Sequence, residues 1–354
     1  MDESLHKNSM TKGREKETGL KDRYYLFDNI KAYLIFSVVI AHYFRMSDTF
    51  ETASFGGTVY VISFSYIMQG FLFVSGYFSR NLEKCRETSF RTFLFPYLIL
   101  MPVMFGFRYL IFGQANLNMA QPTMALWYLL TLFYYRHLLK DLVRIKKILP
   151  ISVVLSLAAG FVPFLNSTLS LGRTFSFLPF FLLGYYFRKE WLEKIRAIPK
   201  AVGALAMAGL LAVSVLIAFK NPFPLEALYM KSSYWATGLT WMEGVLARVA
   251  IFGLSTAWIL VFLNLAPKKR TFLSGIGQST MTVYVLHIII RYLIKFYGGL
   301  FGQDVLSYLG LTAAAVLSLW LFSRPQVVMG YQNFMDGLYR LLALIPQALS
   351  RRIL

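Results

Sequence analysis

Ten apolar runs, most of them near the roughly 20 residues that a membrane-crossing helix needs, constrain this chain more than any other feature. They fall near 26–44, 57–79, 92–112, 124–139, 148–164, 174–190, 200–219, 247–265, 274–297 and 305–323, the fourth to sixth being the shortest. Strand-like alternation is absent. In lipid the backbone must satisfy its own hydrogen bonds, so each run is expected to be helical. Composition agrees, since 57% of the 354 residues are hydrophobic and 15% charged, against about a quarter charged in soluble domains. A soluble chain of this size has too little interior to hide that much apolar surface. The expected fold class is therefore all-α, a polytopic integral membrane protein of about ten transmembrane helices.

A formal net charge of +19 could suit a nucleic-acid partner, but its distribution argues against one. The basic residues gather in short loops on one side: Arg80, Lys84, Arg86 and Arg91; Arg136, Lys140, Arg144, Lys146 and Lys147; Arg188, Lys189, Lys194, Arg196 and Lys200; Lys268, Lys269 and Arg270. The opposite loops hold Arg45, Arg173, Lys220 and Lys231. By the positive-inside rule this asymmetry puts both termini in the cytoplasm and implies an even number of spans. The expected organisation is a polar cytoplasmic tail over 1–22, without the cleavage site of a signal peptide, a transmembrane domain over 23–325, and an amphipathic cytoplasmic tail over 326–354. In that last segment Phe334, Leu338, Leu341, Leu342 and Ile345 recur at helical spacing, as in an interfacial helix. The single cysteine, Cys85, cannot build a disulfide framework and is expected to be a bystander. His6 in the first tail and His137 in a basic loop carry no signal.

Ionisable groups within spans are expensive and mark functional sites by default. The first span holds Asp28, Lys31 and His42. Lys31 and His42 are eleven residues apart, which returns to nearly the same helix face about 16 Å along the axis. Asp28 sits three residues before Lys31, within pairing reach. One reading is an acid–base pair near the cytoplasm with an imidazole toward the outer end. The other is an interfacial ion pair and an interfacial histidine. In the ninth span Tyr284, His287 and Arg291 share a face at i, i+3 and i+7, which suits either a site or a hydrogen-bonded core histidine. The third span carries Arg91 and Arg108, the eighth opens with Arg248, and Lys295 closes the ninth. Acidic groups are sparse (Asp28 and Glu243, each near an edge), so the buried charge is mainly positive and suits an anionic ligand.

These residues resemble a known family. The Lys31-x10-His42 stripe resembles the Arg/Lys-x10-His motif of the membrane acyltransferase-3 family. Phe73 to Phe78 (FVSGYF) is similar to its SGY segment, and Arg91 to Tyr97 (RTFLFPY) to its R-x4-PY opening of the third helix. Leu126 to Leu129 (LWYL), Leu178 to Tyr185 (LPFFLLGY, with Arg173 upstream), Ile276 to Met281 (IGQSTM) and Tyr284 to His287 (YVLH) match further signatures in order. The resemblance runs from about Arg23 to Leu321 and is nearest to the fucose 4-O-acetylase-like, sugar O-acetyltransferase branch. Lys31 stands where many members carry Arg, which keeps the charge but loses the bidentate fork.

The resemblance implies an O-acyltransferase of the bacterial plasma membrane. It would move an acyl group, usually acetyl, from cytoplasmic acetyl-CoA to a sugar hydroxyl of an extracytoplasmic or lipid-linked glycan. No bound cofactor or metal is expected, since acyl-CoA is a co-substrate. His42 would be the general base or carry the acyl group. Lys31 would hold donor phosphate or pantetheine with Asp28 orienting it, and Arg91 would bind CoA phosphates. His287, Tyr284 or Arg291 would stabilise the oxyanion or orient His42, with Arg173 on the acceptor side. Some relatives carry a fused SGNH hydrolase-like domain, so a separate extracytoplasmic acyl-handling protein is a possible partner. The competing function is a lipid-linked sugar flippase or polysaccharide exporter, which shares the spans and cationic lining but needs neither the histidine stripe nor acyl-CoA. A purely scaffolding subunit fits the buried charges poorly. Tyr229, Tyr234, Trp235 and Trp241 in the 220–246 loop suit either sugar stacking or an ordinary interfacial belt.

Overall fold

A computed structural model describes residues 25–166 and 168–353. It is 78% helix, with no strands among the described residues, so the chain is all-α as expected. The tail expected over 1–22 lies outside the described residues. Helices stand at all ten expected positions: α1 (Tyr25–Phe44), α2 and α3 (Phe55–Phe64, Ile67–Tyr77), α4 and α5 (Leu82–Ser89, Phe95–Phe112), α6 (Trp127–Leu142), α7 (Ile148–Ala159), α8 (Leu171–Tyr186), α10 (Lys200–Lys220), α11 (Trp241–Leu265), α12 and α13 (Ser274–Gln278, Thr280–Phe296) and α14 (Val305–Phe322). A short α9 (Lys189–Ala197) bridges two of them, and α15 (Pro325–Ile353) ends the described chain.

Among the described residues five units are long and apolar enough to cross a membrane: Phe55–Tyr77, Leu82–Phe112, Lys200–Lys220, Trp241–Leu265 and Val305–Phe322. The other positions hold helices that are shorter or more polar. α7 has 12 residues, α6 and α8 have 16 each and α13 has 17. α1 has 20 but carries Asp28, Asn29, Lys31 and His42. Length and apolarity alone therefore single out five of the ten expected spans.

Local chemistry sets the helix ends. Asn81 caps α4, its side chain accepting from the Lys84 amide at 3.0 Å, and Asp304 caps α14 through the Ser307 amide at 2.9 Å. At the start of α11 Thr240 and Glu243 form a reciprocal capping box. Glu243 accepts from the Thr240 amide at 2.9 Å and from its hydroxyl at 2.8 Å, so this acid is a helix cap. Gly113, at φ 69°, closes α5 in the left-handed conformation.

Burial sorts the long helices. The apolar window of Phe55–Tyr77 is 83% buried and that of Lys200–Lys220 only 17%, so the former runs through the protein core while the latter keeps an apolar surface outward. α1 is the other central helix, packed by α2, α3, α12, α13 and α14. Between α2 and α3 the helix breaks at Ser65 and Tyr66. The neighbouring helices compensate: Ser255 of α11 donates to the Ser65 carbonyl at 2.6 Å, and the Tyr66 hydroxyl pairs with Ser37 of α1 at 2.8 Å.

α3 and α8 approach through two glycines. A Cβ on Gly76 would lie 1.9 Å from the Phe181 carbonyl oxygen, and one on Gly184 would lie 2.0 Å from that of Phe73. Small residues at such contacts let two backbones touch. The N-terminal end of α1 is tied equally firmly. The Asn29 amide nitrogen donates to the carbonyls of Pro267 and Lys269 at 2.9 and 3.0 Å. Its oxygen accepts from Thr271 and Ser274, both at 2.7 Å.

The segment expected to be an amphipathic tail is helical as α15, and it touches α13 and α14. Leu338 packs against the core, whereas Phe334, Leu341 and Leu342 remain exposed.

Candidate active site

α1 presents two reactive side chains to two different cavities. Lys31 lines one of about 280 Å³, together with Phe71, Ser75, Phe93, Tyr128 and Arg136. His42 lines another of about 330 Å³, together with Gln69, Trp127, Arg173, Tyr229 and Arg291. Tyr284 of α13 lines both and so stands in the partition. Its hydroxyl donates to the Ala125 carbonyl, and its ring meets that of Tyr128 at 5.6 Å.

The two histidines singled out in the sequence meet. His42 Nδ1 is 2.9 Å from His287 Nε2, with the ring planes inclined by only 15°. His287 is fully buried, and its Nδ1 lies 3.0 Å from the Val283 carbonyl. A carbonyl can only accept, so Nδ1 of His287 carries the hydrogen. In the neutral ring its Nε2 is then a lone pair, which requires His42 Nδ1 to donate. The tautomer follows from this network: the Nε2 of His42 keeps its lone pair, and His42 is on the cavity wall. A base oriented through its other ring nitrogen is the usual arrangement for an imidazole that takes protons.

Arg291, one turn beyond His287, is buried and also lines the His42 cavity. Its Nε has no hydrogen-bond partner among the described residues. Arg173, in the first turn of α8, stacks over the Trp127 ring at 4.6 Å. Thus His42, Tyr284, Arg291 and Arg173 share one cavity, and His287 backs it. The hydroxyl of Tyr284 is occupied by Ala125, whereas the guanidinium of Arg291 has a donor to spare.

At the other end of α1, Lys31 pairs with Asp28 at 3.0 Å, and Gln278 donates to the second carboxylate oxygen at 3.3 Å. Arg91 does not join them. It lies in a π-helical turn between α4 and α5, pairs with Asp336 of α15 at 2.9 Å and stacks over Tyr339. It lines neither cavity. The cation beside Lys31 is instead Arg136 of α6, whose Nε is buried without a hydrogen-bond partner among the described residues.

The remaining singled-out charged residues lie outside the two cavities. Arg248 donates to the Ser156 and Ser232 carbonyls, Lys295 pairs with Asp48 at 2.6 Å, and Arg108 lines neither cavity. Of the four loop aromatics only Tyr229 lines the His42 cavity. Tyr234 is buried, its hydroxyl donating to Leu157 at 2.8 Å, and Trp235 and Trp241 are exposed.

Residues 24–324 match a family described as an acyltransferase domain, acyltransferase-3. The chain belongs to the acyltransferase-3 family. Membership, together with the apolar helices, makes it a membrane protein and supports acyl transfer over export. A search of curated proteins and a search of solved structures each found no match.

In this acyltransferase-3 protein Gln69, Arg45 and Lys231 of the His42 cavity and Arg136 of the Lys31 cavity join the residues that sequence singles out. Gln69 of α3 is fully buried on the wall of the His42 cavity, and neither of its amide atoms has a partner among the described residues. It is uncharged, so a search for costly charges does not find it. Arg136 was visible only as one more basic residue of a loop.

Proposed function

We propose that this protein is a membrane O-acyltransferase of the sugar O-acetylating kind, using cytoplasmic acyl-CoA, most simply acetyl-CoA, as donor. The observation that carries this reading is the hydrogen-bonded His42–His287 pair, which presents the lone pair of His42 to a cavity separated by Tyr284 from a second, cationic one. The Lys31 cavity receives the donor, with Lys31 and Arg136 facing its negatively charged groups. The sugar of an extracytoplasmic or lipid-linked glycan occupies the His42 cavity, at the outer face of a bacterial plasma membrane.

In the reaction His42 Nε2 takes the proton of the sugar hydroxyl as its oxygen attacks the thioester carbonyl. Arg291 and the Gln69 amide supply donors for the carbonyl oxygen as it becomes negative. The C–S bond then breaks, and the thiolate takes the proton from His42. The products are the sugar ester and CoA. Lys31 to His42 spans about 16 Å along α1, so the thioester must extend from its own cavity past the Tyr284 partition. This route needs no second protein; a handover to one would begin with the acyl group on His42.

The test is transfer of labelled acetyl from acetyl-CoA by the purified protein. His42→Ala should lower transfer by about 10²- to 10⁴-fold, the range for a general base, while the protein stays folded. Near-normal transfer would remove His42 from the mechanism.

A further inference from the structure

We propose that the acceptor taken by the His42 cavity is a phosphorylated sugar, a phosphate or diphosphate joined to the ring. This rests on the reading of that cavity as the acceptor side. Four cations line it: Arg45, Arg173, Lys231 and Arg291. No Asp or Glu does, and none of the four is in a salt bridge among the described residues. Three of them rest instead on aromatic faces. Arg45 lies over Phe50 at 4.5 Å, Arg173 over Trp127 at 4.6 Å and Lys231 over Tyr229 at 5.9 Å. Cation–π contact leaves the N–H groups available to an oxygen ligand.

The cations are close enough to feel one another. Burial first, and the charge of Arg173 second, pull the Lys231 ammonium below the usual lysine range, with Glu226 acting in the opposite sense. Like charges gathered in a partly buried cavity repel strongly unless an anion joins them. Two groups on residues that line the cavity have no hydrogen-bond partner among the described residues, Nε of Arg291 and the amide of Gln69. Burying such groups costs free energy, which a bound ligand would offset. One carboxylate would balance one of four charges. A phosphate or diphosphate balances two or more and offers several oxygens to the guanidinium forks. The rings of Tyr60, Trp127 and Tyr229 also line the cavity and add apolar surface for the sugar.

CoA also carries phosphates, so the experiment must separate the two sources. Binding of glucose 1-phosphate, glucuronate, methyl glucoside and CoA to the purified full chain in detergent is measured by calorimetry. Glucose 1-phosphate should bind at least about tenfold more tightly than methyl glucoside or glucuronate. Arg291→Gln and Arg173→Gln should each weaken glucose 1-phosphate about tenfold or more, from loss of one charge-assisted contact, and change CoA affinity less than about twofold. Arg136→Gln should do the reverse. Lys231→Met, at another cation of the same cavity, serves if either arginine variant fails to fold and should likewise weaken glucose 1-phosphate. Equal binding of phosphorylated and neutral sugar overturns the proposal, as does equal binding of glucuronate. Competition between CoA and glucose 1-phosphate, with both lost in Arg173→Gln, also overturns it by assigning the cavity to donor phosphates. Tight, Arg173-dependent glucose 1-phosphate binding without any acyl transfer would support the anion site and sink the transferase reading instead.

Discussion

His42 and His287 are 245 positions apart in sequence and 2.9 Å apart in space, nitrogen to nitrogen. The second ring is pinned to the Val283 carbonyl one helical turn back, so it fixes both the direction and the tautomer of the first. His287 is therefore a positioning residue. His287→Ala should lower kcat by about 10²-fold, near the lower end of what a well-placed base contributes, and leave KM for acyl-CoA unchanged. His287→Gln, which keeps a carbonyl acceptor, should recover part of the loss. Equal loss in both variants, with KM raised, would indicate a general disturbance of the site.

The glycine pair between α3 and α8 makes a prediction of a different kind. Gly184→Ala puts a methyl about where the Phe73 carbonyl oxygen already is. Forcing an extra methylene into such packing costs about 1–3 kcal/mol. Gly106 of α5 has nothing within 4 Å of its Cβ position, so Gly106→Ala should be neutral or slightly stabilising by helix propensity. Thermal unfolding in detergent compares the two directly. Equal effects would mean that the close approach is not what the glycine is for.

The contrast shows which parts of the molecule were readable from sequence. The helices were, because lipid leaves the backbone few alternatives and hydropathy marks their positions. The number of spans was less so, since polar residues in α1 and the shortness of α6, α7, α8 and α13 leave five units meeting the length and apolarity of a crossing. The α1 stripe and the Tyr284, His287 and Arg291 face stood out because charge at depth is costly. Their meeting did not, because helical spacing says nothing about which helix faces which. Gly76 and Gly184 were visible as parts of motifs, and Gly277 likewise, whose Cβ would meet the Asp28 carbonyl oxygen at 1.8 Å. Only the packing reveals that these motif glycines are contacts. The resemblance offered Arg91 as a donor ligand, and its ion-pair partner, Asp336, was not legible because it comes from a helix with no sequence link to it.

That Arg91–Asp336 pair carries the third prediction. Both side chains are about half exposed, at 53% and 48%, so the pair is weak and can be displaced. If Arg91 contacts CoA phosphate, it must first leave Asp336. Asp336→Asn should then tighten acyl-CoA binding by roughly two- to fivefold, the scale of an exposed ion pair, and Arg91→Gln should weaken it. Unchanged CoA affinity in both variants would confine Arg91 to holding α15 in place.

Gln69 separates stability from activity. Its side chain is fully buried, and both amide atoms lack partners among the described residues, which for a buried polar group costs about 1–3 kcal/mol. Leucine has a similar size and nothing to satisfy. Gln69→Leu should therefore raise the unfolding temperature of the protein. If the amide donates to the carbonyl oxygen in the transition state, the same change should lower kcat by about 10²- to 10³-fold, the effect of removing one such donor. Gln69→Glu, which keeps the shape but adds a negative charge beside the developing one, should be at least as inactive without the gain in stability. A Gln69→Leu protein that is both more stable and fully active would show that the orphaned amide has no catalytic use. A less stable one would show that Gln69 is held by interactions within the fold.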